Sequence, residues 1–298
     1  MLTTKEASRL WKVSERRVRV LCQKGQIVGA MKNGLSWQIP ADSAKPRDGR
    51  FYKNKKISEQ YLEIFSHIDS KKALLSKHRP LTQGELKRLR DEFLVEFVYD
   101  SNAIEGNTLT LQETALVLEG ITIDQKPLKE HLEAIGHKEA FLYIEHLVQE
   151  KTQLSEKIIK EVHSLILMDR PDDKGCYRRI PVKIMGADFD PTPPLRVPEE
   201  MVLLCETYKS KMKTFHALEA IAWFHRKFEK IHPFVDGNGR TGRLLLNFEL
   251  MKRSYPSINI KYKDRRKYYD AFSELPKMVC LVSEYVEEAL NKYVELFM

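Results

Sequence analysis

The sequence predicts a mainly α-helical protein: a helical bundle with one short β-hairpin flap, preceded by a small helix-turn-helix module that carries a β wing. Three observations lead there. From Ile57 onward apolar residues recur at helical spacing with little interruption. The one break, Gly175 to Pro194, is too rich in proline for a helix or a central strand. Residues 1–42 form a separate basic pattern that contains an Asn-Gly turn.

Taking the elements in order, Thr3 or Thr4 can cap a short helix that carries Ala7 and Leu10 into Trp11. Ser14 opens a second helix, Arg16 to Gln23, with Val18 and Leu21 or Cys22 facing inward, and Gly25 ends it. Ile27–Ala30 and Leu35–Pro40 then flank Lys32-Asn33-Gly34, a hairpin signal. Eleven Lys and Arg stand against four Asp and Glu in residues 1–50, so +7 of the chain's net +8 sits there. Such asymmetry points to a polyanionic partner for this piece, which the rest of the chain need not have. The module resembles winged helix-turn-helix units of the excisionase and MerR type over residues 2 to about 42. That resemblance implies Arg16, Arg17 and Arg19 on a recognition helix and Lys32 on the wing, within reach of DNA phosphates and a groove. The plainer alternative is a basic solvated helix that docks a partner protein.

Residues 43–56, with prolines, charges and little periodicity, read as a linker. Beyond it, Leu62, Ile64 and Phe65 begin the helical pattern, and Leu81 to Tyr99 continue it. Further helices are expected at 110–119, 128–149, 154–168, 198–213, 216–231, 240–252, 264–275 and 281–297. Within the break, Ile180–Gly186 has strand character, which predicts an exposed flap able to take another chain's backbone as an added strand; a plain helix connection is the alternative. Cys22, Cys176, Cys205 and Cys280 form no CxxC pair, which argues against a zinc site or disulfide framework. With no apolar run long enough to span a membrane and no signal-peptide core, a cytoplasmic protein is expected.

The densest chemistry lies in His232-Pro233-Phe234-Val235-Asp236-Gly237-Asn238-Gly239-Arg240-Thr241-Gly242-Arg243. Apolar residues from Leu218 to Ile231 make the preceding helix rigid, and Pro233 breaks it, so His232 sits at the end of a fixed element. A neutral imidazole held there can take a proton from a hydroxyl. His131, His137, His163, His216 and His225 read instead as satisfied core histidines. Gly237-Asn238-Gly239 leaves backbone N–H groups unshielded, and a helix starting near Arg240 adds its positive end, which together make a phosphate cradle. Arg240 and Arg243 share a helical face and can each grip a phosphate oxygen, while Asp236 can hold Mg²⁺ alongside phosphates. There is no P-loop.

His-Pro-Phe-x-Asp-Gly-Asn-Gly-Arg-x-x-Arg resembles the complete signature of the Fic family, whose members move AMP from ATP onto a hydroxyl of a target protein. The resemblance extends over residues 57–298 and implies a Fic-type bundle, with helices of an N-terminal part at 57–125 and the core at 126–298. It implies His232 as the base, Asp236 as the Mg²⁺ ligand, Gly237, Asn238 and Gly239 around the α-phosphate, and Arg240 and Arg243 on the β and γ phosphates. Asn247, one turn on, would touch the nucleoside, and flap residues Val182, Lys183, Ile184, Met185 and Gly186 would align the target. Related phosphotransferases of the Doc type carry Lys where Gly239 stands.

Ser101-Asn102-Ala103-Ile104-Glu105-Gly106 follows a strongly apolar helix; alone it reads as a helix end with an exposed acid. Beside the signature it is similar to the inhibitory motif of autoinhibited Fic proteins, which implies that Ser101 and Glu105 lie against the nucleotide site and Glu105 pairs with Arg243. The expected function is an ATP- and Mg²⁺-dependent protein adenylyltransferase held off by Glu105. The alternatives are removal of AMP at the same site, or a DNA-binding regulator with a nucleotide-sensing core. Expected partners are an unidentified target protein or the chain itself, with DNA and a homodimer as further candidates.

Overall fold

The computed structural model of the 298-residue chain describes every residue except Lys12, 24–26, Val28, Leu35, Asp42, 44–58, 76–81, 184–189 and 297–298; the side chains of Arg17 and Gln83 also lie outside the description. The chain divides into two compact units, Met1–Glu59 and Gln60–Met298.

The first unit holds β1 (Leu2–Thr3), α1 (Thr4–Trp11), α2 (Glu15–Gln23), β2 (Met31–Asn33) and β3 (Ser36–Ile39). The strands form an antiparallel sheet in the order β1-β3-β2. Ala7, Trp11, Val18, Leu21, Cys22, Ile27 and Ile39 make its core, with Trp37 packed against it. Three differences from expectation have local causes. Leu10 is exposed rather than inward, because Thr4, Ala7 and Trp11 already fill the buried face at i, i+3 and i+7. The wing's first strand is Met31–Asn33 rather than 27–30, since Gly29 (φ 77°) and the Ala30 N–H to Ile27 carbonyl bond make a turn there. Two-residue β1 has too little alternation to be legible in sequence. The linker expected over 43–56 falls, apart from Ser43, outside the described residues.

The second unit is helical: α3 (Leu62–Leu75), α4 (Gln83–Ile104), α5 (Leu111–Leu118), α6 (Leu128–Gln149), α7 (Glu156–Ile166), α8 (Val197–Lys211), α9 (Ala217–Ile231), α10 (Asn238–Met251), α11 (Arg265–Ala271) and α12 (Leu275–Glu295). Capping boxes at Thr82 with Glu85 and at Thr110 with Glu113 start α4 and α5. The last helix begins at Leu275, ahead of the expected 281, because Pro276 is tolerated in a first turn.

At the centre lies α10, packed on α4, α6, α7 and α9. Every residue of it from Arg240 to Leu250 is buried, so its polar side chains must find partners inside the protein. The predicted flap does not form a hairpin among the described residues: Pro181, Val182 and Lys183 have no regular structure, and Pro191–Pro193 lead into a 3₁₀ turn at Pro194–Arg196. Prolines at 181, 191, 193 and 194 remove ladder donors. Ile184, Met185 and Gly186 lie outside the described residues. Among the described residues no helix is long and apolar enough to cross a membrane.

Candidate active site

Leu218, Ile221, Ala222, Phe224, Phe228 and Ile231 are fully buried, which fixes the axis of α9. The helix ends because His232 turns left-handed (φ 52°, ψ 62°), an uncommon state for a residue with a side chain, and Pro233 follows. The His232 N–H still closes the last turn on the Phe228 carbonyl at 2.9 Å. Its Nδ1 lies 3.3 Å from the Glu229 carbonyl, so the proton sits on Nδ1 and Nε2 keeps its lone pair. Burial lowers the His232 pKa to about 4, although the Glu229 carbonyl and the Glu105 charge pull the other way. The ring is therefore neutral at pH 7 and ready to accept a proton.

Behind it stands Glu229, buried, with Oε2 4.0 Å from His232 Nδ1. Burial pushes its carboxyl up to about 8, against the favourable charge of Arg243, so it is largely protonated at neutral pH. Gly242 makes room for it: a Cβ there would stand 2.1 Å from Glu229 Oε1.

The loop after His232 is held by its own amide. Asn238 Oδ1 accepts the Phe234 N–H and Asn238 Nδ2 donates to the Phe234 carbonyl, both at 2.9 Å. Phe234 in turn stacks on His163 with ring centroids 3.6 Å apart. His163 accepts the Gly175 N–H on Nδ1 at 2.9 Å, so its Nε2 proton goes to the Asp236 carbonyl at 3.0 Å. Gly237 (φ 73°) caps α10 without a side chain, which leaves the first-turn amides and the positive end of the helix facing the loop. The Asn238 side chain therefore shapes the cradle, and its backbone is what remains for an anion.

Asp236 is about one-third exposed at the cradle's mouth. Burial raises its pKa, but Arg240, the Gly237 amide and Arg170 outweigh that, and the carboxylate is held below its usual range. Gly237 N–H donates to Oδ1 at 2.6 Å, and Arg170 lies 3.3 Å from Oδ2. No group of three or more His, Cys, Asp or Glu that could hold a metal occurs among the described residues. A single ionised, accessible carboxylate next to an anion cradle suits Mg²⁺ that arrives with phosphates.

The two arginines differ. Arg240 Nη1 lies 3.2 Å from Glu133 and its Nη2 3.4 Å from Asp236. Arg243, almost fully buried, donates from Nε to Ser101 Oγ, and from Nη2 to both the Ser101 carbonyl and Glu105 Oε1, each at 2.8 Å. Burial would lower the Arg243 pKa, and Glu105 overcomes it, so the guanidinium is held above its ordinary value. Glu105 caps α4 and Gly106 (φ 97°) turns the chain away. Its carboxylate lies over Gly239, where a Cβ would come within 2.2 Å of Oε1. The glycine thus clears space for an oxygen anion beside the first turn of α10, and Glu105 now fills it.

His232, Asp236, Gly237, Asn238, Gly239, Arg240, Arg243, Ser101 and Glu105 come together. Asn247 does not join them as expected against a nucleoside: its Nδ2 donates to the Ile258 carbonyl at 3.0 Å and its Oδ1 accepts the Ile258 N–H at 2.8 Å. A buried amide whose two sides are both spent on one backbone residue is a structural tie. Val182 and Lys183 follow Arg178, which touches the His232 carbonyl. Arg16, Arg19 and Lys32 belong to the first unit; Arg19 donates to Glu15 at 2.9 Å. Sequence reasoning missed Arg178, Glu229 and Glu133. Glu229, one turn before His232, had a positional signal; the other two had none.

The Fic/DOC family model matches residues 153–250. A protein adenylyltransferase Fic from Nematostella vectensis is 31% identical over 266 residues, covering 85% of this chain and 62% of that protein. One of the same description from Drosophila melanogaster is 33% identical over 251 residues, covering 80% of this chain and 49% of that protein. The chain thus spans about half to three-fifths of the length of these curated relatives. The crystal structure of a Fic domain containing signaling protein from Bacteroides thetaiotaomicron superposes with a TM-score of 0.71 at 30% identity, covering 78% of this chain and 96% of that one.

Proposed function

Because the chain belongs to the Fic/DOC family, we propose that it is a protein adenylyltransferase that moves AMP from ATP onto a hydroxyl of a target protein or of itself, with Glu105 holding it off. The observation that carries the reading is the convergence of a neutral, left-handed His232 and the bare first turn of α10 on one loop.

In this mechanism the target hydroxyl gives its proton to His232 Nε2 as its oxygen attacks the α-phosphorus. The bond to the bridging oxygen breaks, and pyrophosphate leaves. Amides of Gly237, Asn238 and Gly239, with the positive end of α10, stabilise charge on the transferred group, the effect that supplies most of such a rate enhancement. Arg240 and Arg243 take the β and γ phosphates, which requires Arg243 to exchange Glu105 for an oxygen of ATP. Mg²⁺ held by Asp236 would neutralise phosphate charge and orient the leaving group. Val182 to Gly186 would align the target.

We assign residues 57–125 to the helices that carry the inhibitory pair Ser101 and Glu105, and 126–298 to the catalytic core. Residues 1–42, with two helices, an antiparallel sheet and Arg16, Arg17, Arg19 and Lys32, are assigned as a winged helix-turn-helix module that contacts DNA in the cytoplasm. DNA binding that weakens steeply with added salt tests that part, and salt-insensitive or absent binding overturns it. A homodimer would appear as twice the chain mass in solution scattering.

The test of the whole is to incubate the protein and its Glu105→Gly variant with nucleotides labelled at the α or γ position, followed by mass spectrometry. Protein-bound label from the α position only, at a hydroxyl side chain, is expected. Label from the γ position would replace adenylyl transfer with phosphoryl transfer. Glu105 also suits a second role: one-third exposed beside the cradle, it can orient a water that removes AMP from a modified target. Release of AMP from an adenylylated protein, lost in Glu105→Gly, would identify that direction.

A further inference from the structure

Arg178 is a buried cation whose side-chain partners among the described residues are all main-chain carbonyls. Only 3% exposed, it donates from Nε to the His232 carbonyl at 2.7 Å, from Nη1 to the Ile180 carbonyl at 3.0 Å, and from Nη2 to the Ile231 carbonyl at 3.4 Å and to that of Thr192. Its own N–H donates to the Pro233 carbonyl at 2.9 Å. No carboxylate among the described residues pairs with it, and burial alone lowers its pKa.

A buried charge without a counter-ion persists only where dipoles converge on it. Here the dipoles come from two places. The Ile231 and His232 carbonyls are acceptors left over at the C-terminus of α9, where a cation is favoured. Those of Ile180 and Thr192 flank the stretch 181–191, on either side of the residues assigned to target alignment. The left-handed His232 backbone is an uncommon state that needs an external tie; the Arg178 Nε bond to its carbonyl, at 2.7 Å, supplies one.

We propose that Arg178 is a positioning residue that couples the target-aligning stretch to the base: one planar guanidinium fixes both ends of 181–191 relative to the backbone that aims His232. The inference rests on the adenylyl-transfer reading for its kinetic part only. Movement at Ile180 or Thr192 cannot occur without disturbing the group that holds the His232 carbonyl.

Arg178→Lys keeps the charge but offers a single nitrogen where four carbonyls need a fork. It is tested in the full chain by hydrogen exchange, and in the Glu105→Gly background by kinetics. Exchange should rise together at 178–183, at 190–192 and around Ile231–Phe234. Transfer of α-labelled AMP should lose about 10-fold or more in kcat, while KM for ATP stays within about 2-fold, since misaimed chemistry and not nucleotide binding is affected. Faster exchange at only one of the two places overturns the coupling, as does unchanged kcat or a KM that rises in step with the loss. If Arg178→Lys fails to fold, Thr192→Gly, which loosens one flap end, should speed exchange at Ile231–Phe234; exchange there equal to wild type overturns the proposal. If Glu105→Gly itself transfers no AMP, the functional reading fails and the exchange result still decides the coupling.

Discussion

The two ends of the loop from His232 to Arg243 are in opposite states. At the His232 end a neutral imidazole keeps the Nε2 lone pair, held by backbone bonds that leave the ring free to act. At the Arg243 end, eleven residues on, the guanidinium donates three hydrogen bonds, to Ser101 and to Glu105 at the end of another helix. One end keeps a ring nitrogen free, and the other has its guanidinium engaged by a second helix. On the proposed reading, the difference places control at nucleotide access, with the base already assembled.

The largest expected effect breaks the open end. In the Glu105→Gly background, His232→Ala should lower transfer of α-labelled AMP by roughly 10² to 10⁴-fold with ATP affinity little changed. Retained incorporation would remove His232 from the mechanism. Next comes the closed end: Glu105→Gly should raise transfer over wild type by roughly 10 to 100-fold, the size of one charge-assisted hydrogen bond at about 1.5 to 3 kcal/mol. Equal rates for the two proteins would leave Glu105 without an inhibitory role.

A smaller effect sharpens the comparison at Glu229, between the two ends. Its folded pKa is raised to about 8 from an ordinary 4.5. Between those values the unfolded chain has lost a proton that the native protein retains, so native stability falls as pH rises, at a slope approaching about 1.4 kcal/mol per unit. Gln cannot titrate. Glu229→Gln should therefore gain on wild type in thermal midpoint from pH 5 to pH 8, and a constant difference would mean that Glu229 is charged in the fold.

The open end was the more legible in sequence. Its residues are consecutive, and each type declares its chemistry: a histidine before a helix-breaking proline, glycines before a helix start. The closed end pairs residues 138 apart in the chain, Glu105 and Arg243, and no spacing rule reaches so far; only the likeness of Ser101–Gly106 to a family motif pointed there. Asn247 and Asn238 show a different limit. An amide bonds equally well to ligand or backbone, and here both chose backbone, Ile258 and Phe234. Arg178 stands in no motif, and its four acceptors are main-chain atoms that any residue supplies. The helices were visible by period, whereas two-residue β1 and the early start of α12 depended on partners and a tolerated proline.

Part of the contact that closes Arg243 is main chain, the Ser101 carbonyl at 2.8 Å. No substitution at position 101 deletes that acceptor. In a genetic screen for hyperactive alleles, hits should therefore be sparse at Ser101 and gather at Glu105 and at the residues that seat the last turn of α4. Asp100 is the foremost of these, its carboxylate taking Asn259 Nδ2 at 2.7 Å and the Tyr262 N–H at 2.8 Å. An allele of Asp100 would free the nucleotide site without touching it.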